Sequence, residues 1–507
     1  MKVLLVDVVR TSLEEVWPSV EHSLGLMYIA AAARRELGGD VEIRIWTLVS
    51  KVGGEDEERA TLRQTLEQFE PDAVGVRCLS IGKDSLALAA ETVKSWSSSC
   101  LVLAGGPHAT DAPEEVLLET LVDCVVIGEG ERTFTEILEA VRSGRPLARI
   151  AGTAAREHGR IVRGPARTLI EDLDAIPRPD YSLVDLDAFT NRYLTFTSKI
   201  FQPHANILTT RGCPYRCMYC HNILGKAFRA RSPQNVFDEI RWLHDELGMT
   251  DFQIVDDIFN LDIERAKAIC DLVIQSDMKL TFSFPNGVRG DRMDEELIDK
   301  MAAMGTKFVS YAIESASPRI QRLIRKNLRL ERVFDAIEYS TSVGIVTRGF
   351  FMLGFPTETL DEAKETVQFA VSSSLCGATF FTVVYFPGTD LYKLAQSLGY
   401  FRDGPAEVRR DYVQVADGPY EFETEQLAQL KRSAIIQFSF SEERVDRALR
   451  LLPGYFTQRE IDGFFMAYVV SSRIAIEEIA AETVRDRLHR HFTVAQRFSR
   501  SRTEFFV

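Results

Sequence analysis

The stretch Ile207-Leu-Thr-Thr-Arg-Gly-Cys213-Pro-Tyr-Arg-Cys217-Met-Tyr-Cys220-His221-Asn222 constrains this chain more than any other. A short β-branched run, Ile207 to Thr210, reads as a strand, and Arg211-Gly212 breaks it. Three cysteines then follow at spacings of four and three. Three thiolates on one short loop can hold three corners of an iron–sulfur cube and leave its fourth iron open to a substrate. A zinc site would want a fourth ligand, normally from a second Cys pair or a spaced His. His221 directly follows Cys220 and is poorly placed to share its tetrahedron, and no second CxxC occurs in the chain. The other cysteines, Cys78, Cys100, Cys124, Cys270 and Cys376, are scattered, which disfavours a disulfide framework. Cysteine arithmetic favours the cube, with zinc or buried thiols as the alternatives.

At 507 residues the chain is too long for one compact core, so two or three domains are expected. Its net charge of −14 gives no basic footprint and argues against nucleic-acid binding. No stretch approaches a membrane-spanning length, and Met1-Lys-Val-Leu-Leu-Val reads as a strand rather than a signal peptide. Eight cysteines without a disulfide-like pattern suit a reducing compartment, so a cytoplasmic location is expected.

Strands and helices alternate through residues 1–140, which predicts an open parallel sheet with ligand-binding loops after strand C-termini. Candidate loops carry Ser80, Gly105-Gly106-Pro107-His108 and Gly128-Glu129-Gly130-Glu131. Paired glycines admit a ligand close to the backbone, although a GG pair after a strand is equally often a tight turn. Residues 141–195 include an irregular, Pro-punctuated passage that reads as a connector. From 196 to 400 the alternation resumes with longer units. Strands are expected at 252–257, 280–285, 308–315, 347–354 and 379–385, and with the cysteine strand these make six βα units. That count suggests a partial barrel with reactive groups at strand C-termini. Asp256-Asp257, Asn286, Arg289, Glu314-Ser315 and Glu358 collect there. The plain alternative for Ser315-Ala-Ser317-Pro318 is a helix cap. Residues 401–507 read as helices rich in aromatics (Phe438, Phe440, Phe464, Phe465, Tyr468). These either pack a core or close over the barrel mouth and shape a substrate pocket.

Cys213, Cys217 and Cys220, with Tyr219 before the third, match the CxxxCxxC signature of the radical S-adenosylmethionine (SAM) superfamily. With Leu24-Gly-Leu26, GGPHAT and GEGE, roughly the first four hundred residues resemble its cobalamin-dependent branch. The resemblance implies an α/β protein with a Rossmann-like cobalamin-binding domain at 1–140, a partial (β/α)6 radical SAM barrel at 196–400 and a helical domain at 401–507. It implies three cofactors: a [4Fe-4S] cluster on the three cysteines, SAM and cobalamin. Carried over residue by residue, cobalamin contacts fall on Ser80, Gly105, Gly106, Pro107, His108, Gly128 and Glu129. SAM contacts fall on Tyr219, on Asp256 for the amine, on Glu314 and Ser315 for the ribose, and on Gly354 in the GFPTET adenine loop. One departure stands out. The loop Asp7-Val-Val-Arg10-Thr-Ser12 lacks the DxHxxG histidine that ligates cobalt in the best-known cobalamin domains.

The activity so implied is methyl transfer from SAM, through methylcobalamin, to an unactivated carbon of a small metabolite, natural-product precursor or lipid. The alternative is a non-methylating radical reaction, an oxidative cyclisation or ring rearrangement that uses cobalamin. A cobalamin sensor with a vestigial cluster loop is disfavoured, because the cysteines, Glu314 and GFPTET occur together. The implied partners are a small-molecule substrate and an electron donor such as flavodoxin or ferredoxin.

Overall fold

Two parallel sheets carry the chain, and the loops at their C-terminal edges carry its chemistry. The computed structural model describes residues 1–11, 23–51, 54–186, 204–221, 223–401, 415, 417–454, 479, 482, 485 and 486. The first sheet contains β1 (Lys2–Thr11), β2 (Glu42–Lys51), β3 (Ala73–Arg77), β4 (Leu101–Gly105), β5 (Cys124–Val126), β6 (Thr153–Glu157) and β7 (Arg160–Arg163), in the order β2-β1-β3-β4-β5-β6-β7. Its first five strands are parallel, and β6 and β7 extend it as an antiparallel hairpin. That hairpin lies within the passage read as a connector.

Helices Leu24–Leu37 and Gly130–Ser143 cover one face of this sheet through Leu26, Ala30, Ala33, Phe134, Ile137 and Leu138. Helices Glu55–Phe69 and Lys83–Trp96 cover the other through Leu62, Leu66, Phe69, Leu86, Ala89 and Val93. Strands buried on both faces read as nearly continuous apolar runs, as Ala73-Val-Gly-Val does here. The order reverses between β2-β1 and β3-β4, the switch point at which such sheets open a crevice for a ligand.

The second sheet is wholly parallel, with β8 (His204–Ile207), β11 (Asp251–Ile254), β12 (Thr281–Val288), β13 (Thr306–Glu314), β14 (Val346–Leu353) and β15 (Gly377–Thr382) in sequential order. Six consecutive βα units side by side form the expected partial barrel. Helix Pro233–Leu247 starts where its cap predicts: the Ser232 hydroxyl accepts from the Asn235 N–H at 3.2 Å, with proline next in line. The strand expected at Ile207–Thr210 divides instead. β8 stops at Ile207, and Thr210–Arg211 forms a separate strand, β9, paired antiparallel with β10 (Arg229–Ala230).

Helix Thr424–Ser439 packs on the barrel flank, where Phe438 meets Phe380 edge-on at 6.5 Å. Phe438 and Phe440 are both buried, so these two aromatics pack a core. Phe464, Phe465 and Tyr468 lie outside the described residues. Among the described residues no helix is long and apolar enough to cross a membrane.

Phe351 on β14 is fully buried and stacks on Phe380 at 5.4 Å. Phe351→Ala should cost about 3–5 kcal/mol, read as a lower urea midpoint in barrel unfolding.

Candidate functional site

The β9–β10 hairpin closes a loop that contains all three motif cysteines. Gly212 stands at its entrance with φ +81°, and a Cβ there would collide with the carbonyl oxygens of Ala227, Gly225 and Leu224. Met218 pins the middle of the loop. Its N–H donates to the Ile324 carbonyl at 3.0 Å, its carbonyl accepts from the Leu391 N–H at 2.9 Å, and its side chain is buried with Ile320, Phe355 and Tyr385. With Met218 turned inward, Cys213 and Cys217 remain half-buried and Cys220 is exposed.

The Cys217–Cys220 hydrogen bond lowers Cys217 and raises Cys220, Lys326 pulls both down, and burial holds Cys213 up. Lys326 and Arg289 are the cations that favour a thiolate at Cys217. Three thiols on one anchored loop can each take one iron of a [4Fe-4S] cluster, so the residues present fit that group. The remaining five cysteines are buried free thiols; burial pushes Cys100 up to about 11 and Cys78, Cys124 and Cys270 to about 12.

Beside this loop the structure brings together two of the expected SAM contacts. The Tyr219 hydroxyl donates to Glu314 at 3.3 Å, and Lys326 donates to Glu314 at 2.9 Å and to the Tyr219 hydroxyl at 3.1 Å. Glu314, the last residue of β13, has φ +68°, a costly conformation for a non-glycine residue that suits a functional strand end.

Asp256 and Ser315 both have protein partners. Asp256 accepts from the Thr209 N–H and hydroxyl, both at 2.5 Å, and from the Thr210 N–H at 3.2 Å. Its carboxylate thus replaces ladder partners for the backbone leaving β8 and orients the cluster loop. Ser315 is fully buried, with its hydroxyl 3.2 Å from that of Thr366 and from the Ser317 N–H. The Ser317 hydroxyl accepts from the Ile320 N–H, so this stretch serves as the helix cap.

Gly354 lies at the expected strand end with φ +90°. Its N–H donates to Glu358 at 2.6 Å, and its carbonyl accepts from Tyr385 at 3.2 Å. Glu358 is fully buried, and burial raises it from its ordinary 4.5 to about 8.

At the first sheet, Ser80, Gly105-Gly106-Pro107-His108 and Gly128 gather at the C-terminal ends of β3, β4 and β5. Gly106 has φ +87°, and a Cβ there would lie 2.8 Å from Cγ of Arg77. Thr110 accepts from the Gly128 N–H at 3.1 Å, which joins the two glycine loops. His108 is buried, and burial lowers its pKa, so its ring is neutral.

Behind the loops lies an apolar pocket lined by Leu5, Leu26, Ile29, Gly75, Val76, Leu103, Ala104, Gly105, Val126, Gly130 and Phe134. A Cβ on Gly75 would come within 2.8 Å of Leu5, and one on Gly130 within 3.1 Å of Ile29, so the pocket depends on their missing side chains. A space this small admits a single flat apolar ring system and not a macrocycle. Asp7, expected in the loop after the first strand, lies within β1 instead, buried, and accepts from Arg77 at 2.7 Å.

Glu129 joins the two sheets. Its oxygens accept from Arg211 at 2.9 Å, from Arg229 at 2.8 and 2.9 Å, and from the Ile170 N–H at 2.8 Å. With the carboxylate met by these protein donors, its side chain is an anchor between the two sheets. Sequence reasoning missed Arg211, Arg229, Lys326 and Asp111. Only the position of Arg211, next to the cysteine loop, could have flagged one of them.

The two loop systems touch. Nδ1 of His221, directly after the third motif cysteine, lies 2.5 Å from the Asp111 carboxylate at the end of the short helix that follows Gly106. Residues 14–138 match the family model of the B12 binding domain, and residues 207–370 match that of the radical SAM superfamily. An uncharacterized methyltransferase of Pyrococcus horikoshii is 30% identical over 476 residues, which span 92% of this chain and 99% of that protein. The chain belongs to the cobalamin-dependent radical SAM enzymes.

The cytidylyl-2-hydroxyethylphosphonate methyltransferase of Streptomyces wedmorensis is 27% identical, over 87% of this chain and 91% of its own length. Two solved enzymes share the fold. The TsrM methyltransferase of Kitasatospora setae, with cobalamin and a [4Fe-4S] cluster bound, has a TM-score of 0.62 at 20% identity, covering 80% of this chain and 76% of that one. OxsB, with aqua-cobalamin and SAM bound, has a TM-score of 0.65 at 15% identity, covering 97% and 83%. As a cobalamin-dependent radical SAM enzyme, the protein uses a [4Fe-4S] cluster, SAM and cobalamin.

Two predictions follow from the geometry of these loops. An acid whose pKa is raised on folding contributes stability below its unfolded value and loses it as pH climbs through the folded one. For Glu358 that window runs from 4.5 to about 8. Glu358→Gln keeps an acceptor for Gly354 and Phe355, so its Tm should decline less than the wild type's between about pH 5 and about pH 8 in calorimetry. Gly106→Ala should cost about 1–2 kcal/mol for the left-handed backbone. It should also reduce cobalamin retention on anaerobic gel filtration without loss of iron.

Proposed function

We propose that this enzyme is a C-methyltransferase that moves a methyl group from SAM, by way of cobalamin, to an unactivated carbon of a small metabolite, natural-product precursor or lipid. The observation that carries the reading is the contact of His221 with Asp111, which sets the cluster loop against the glycine loops of the cobalamin side. A radical made at one cofactor and a methyl held at the other must reach the same carbon. The names of the two relatives that run nearly the full length of the chain both denote methyltransferases. Organised this way, the first sheet, with the hairpin at 153–163 as its edge, holds cobalamin, the second sheet forms the SAM barrel, and helix Thr424–Ser439 covers its flank.

When bound, cobalamin supplies the methyl carrier, and the SAM-loaded cluster supplies the radical that takes a hydrogen from the substrate carbon. The chain's own residues hold and orient. Cys213, Cys217 and Cys220 would hold the cluster beside the site for SAM. Glu314, paired with Lys326 and aligned by Tyr219, offers an acceptor to the ribose hydroxyls. Gly354 and the turn closed by Glu358 offer backbone to the adenine. Gly105, Gly106, Pro107, His108, Gly128 and Ser80 line the corrin side. Buried and neutral, His108 serves as a ring or tail contact. An electron donor of the flavodoxin or ferredoxin kind supplies the reducing electron, and eight free cysteines suit a cytoplasmic, reducing setting.

Anaerobically reconstituted protein, loaded with hydroxocobalamin, would be incubated with methyl-labelled SAM and a strong reductant, and followed by mass spectrometry. Label on cobalamin together with 5′-deoxyadenosine is the expected outcome, and Cys217→Ala should abolish the nucleoside. Formation of 5′-deoxyadenosine with no labelled cobalamin would refute methyl transfer in favour of cyclisation or rearrangement.

A further inference from the structure

Four buried charges join the cobalamin side to the cluster loop. Glu129 and Glu131 follow the glycine turn after β5, and Arg211 and Arg229 are cross-strand partners on β9 and β10. Arg211 reaches Glu129 at 2.9 Å and Glu131 at 2.5 Å, while Arg229 reaches Glu129 at 2.8 Å. None of the four side chains is more than 7% exposed. Arg211 also lies over the Tyr28 ring at 5.3 Å, and Arg229 donates to the Ile170 carbonyl at 2.6 Å, which ties in the connector.

Apolar packing would hold two domains together at least as well, because buried ion pairs return little net stability against hydrophobic replacements. Arginine adds direction here by branching: Arg211 forks its two terminal nitrogens between Glu129 and Glu131, one nitrogen of Arg229 meets both oxygens of Glu129, and together these bonds fix distance and angle. The place where direction matters is evident from the chain. Arg211 and Arg229 are the two stems of the loop that carries the cluster cysteines, and Gly128, one residue before Glu129, is bonded to the helix that follows Gly106. The His221–Asp111 contact closes the same circuit from the other side.

We propose that Glu129, Glu131, Arg211 and Arg229 are positioning residues that hold the iron–sulfur cluster at a fixed distance and angle from the corrin. They touch neither cofactor; they act through the hairpin and the glycine loops. The role is the same whether the substrate radical is methylated or cyclised, so it can fail or hold independently of the proposed methyl transfer.

The test is pulsed dipolar EPR on the full-length holoenzyme, with cob(II)alamin and the reduced cluster as the two spins. In the wild type a single narrow separation is expected. Glu129→Gln combined with Arg229→Met neutralises both partners, and the distribution should broaden by about two-fold or more, because the isosteres lack the directional fork. Arg229→Lys should give an intermediate width. A separation and width unchanged in the double variant, with only Tm reduced, would overturn the proposal and leave the cluster of charges a structural one. Should the double variant fail to retain both cofactors, Glu131→Gln, which frees one arm of Arg211 and keeps the Glu129–Arg229 pair, is judged by the same width. Broadening there supports the proposal, and an unchanged width refutes it.

Discussion

The Glu129 carboxylate is the point at which the two halves of the molecule become one. It lies on the turn after the last parallel strand of the first sheet and accepts both stems of the cysteine hairpin as well as the connector backbone at Ile170. Burying a carboxylate is expensive unless every oxygen is met by a donor, and here each is met. That requirement couples local choices distant in sequence. A shift of the hairpin would strand a buried charge, so hairpin, connector and turn keep one arrangement.

The same logic recurs at the barrel mouth on a smaller scale. Asp256 takes the backbone donors of Thr209 and Thr210 where β8 gives out, and so sends the chain away from the sheet into the cysteine loop. Glu358 takes the N–H groups of Gly354 and Phe355 and holds the turn after β14. Met218 anchors the loop by its side chain and by two backbone bonds. Carboxylates that look like ligand-binding groups in the sequence thus serve to aim backbone, leaving the Glu314–Tyr219–Lys326 group as the polar cluster next to the cysteines. Enzymes that steer radicals need such rigidity, because a displacement of about 1 Å at the reacting centre can cost on the order of 100-fold in rate.

Much of the fold was legible beforehand because period and punctuation agree. The helices Leu24–Leu37 and Pro233–Leu247 and the six barrel strands follow from apolar patterning, caps and glycines, which are local properties. Local pattern misled where a side chain displaced the ladder, as at Thr209 and Thr210, and where an antiparallel hairpin at 153–163 extended the first sheet beyond its predicted end. In the candidate site, the cysteines, Tyr219, Glu314 and the glycine loops were legible because each belongs to a short motif with its own chemistry. The protein partners of Asp256, Ser315 and Glu129 were not legible, because they lie on elements distant in sequence or depend on how a turn folds back.

By itself the sequence determined that three thiols share one loop, that a parallel sheet precedes them, and that two glycine loops end its strands. Those are facts of spacing, and spacing is set along the chain. Only the tertiary structure decided which charges meet: Arg211 and Arg229 with Glu129, Lys326 with Glu314, and His221 with Asp111. Pairings over separations of 12 to 110 residues leave no periodic trace, because they depend on how whole elements dock. The cost of leaving a buried charge unpaired then selects one docking among many.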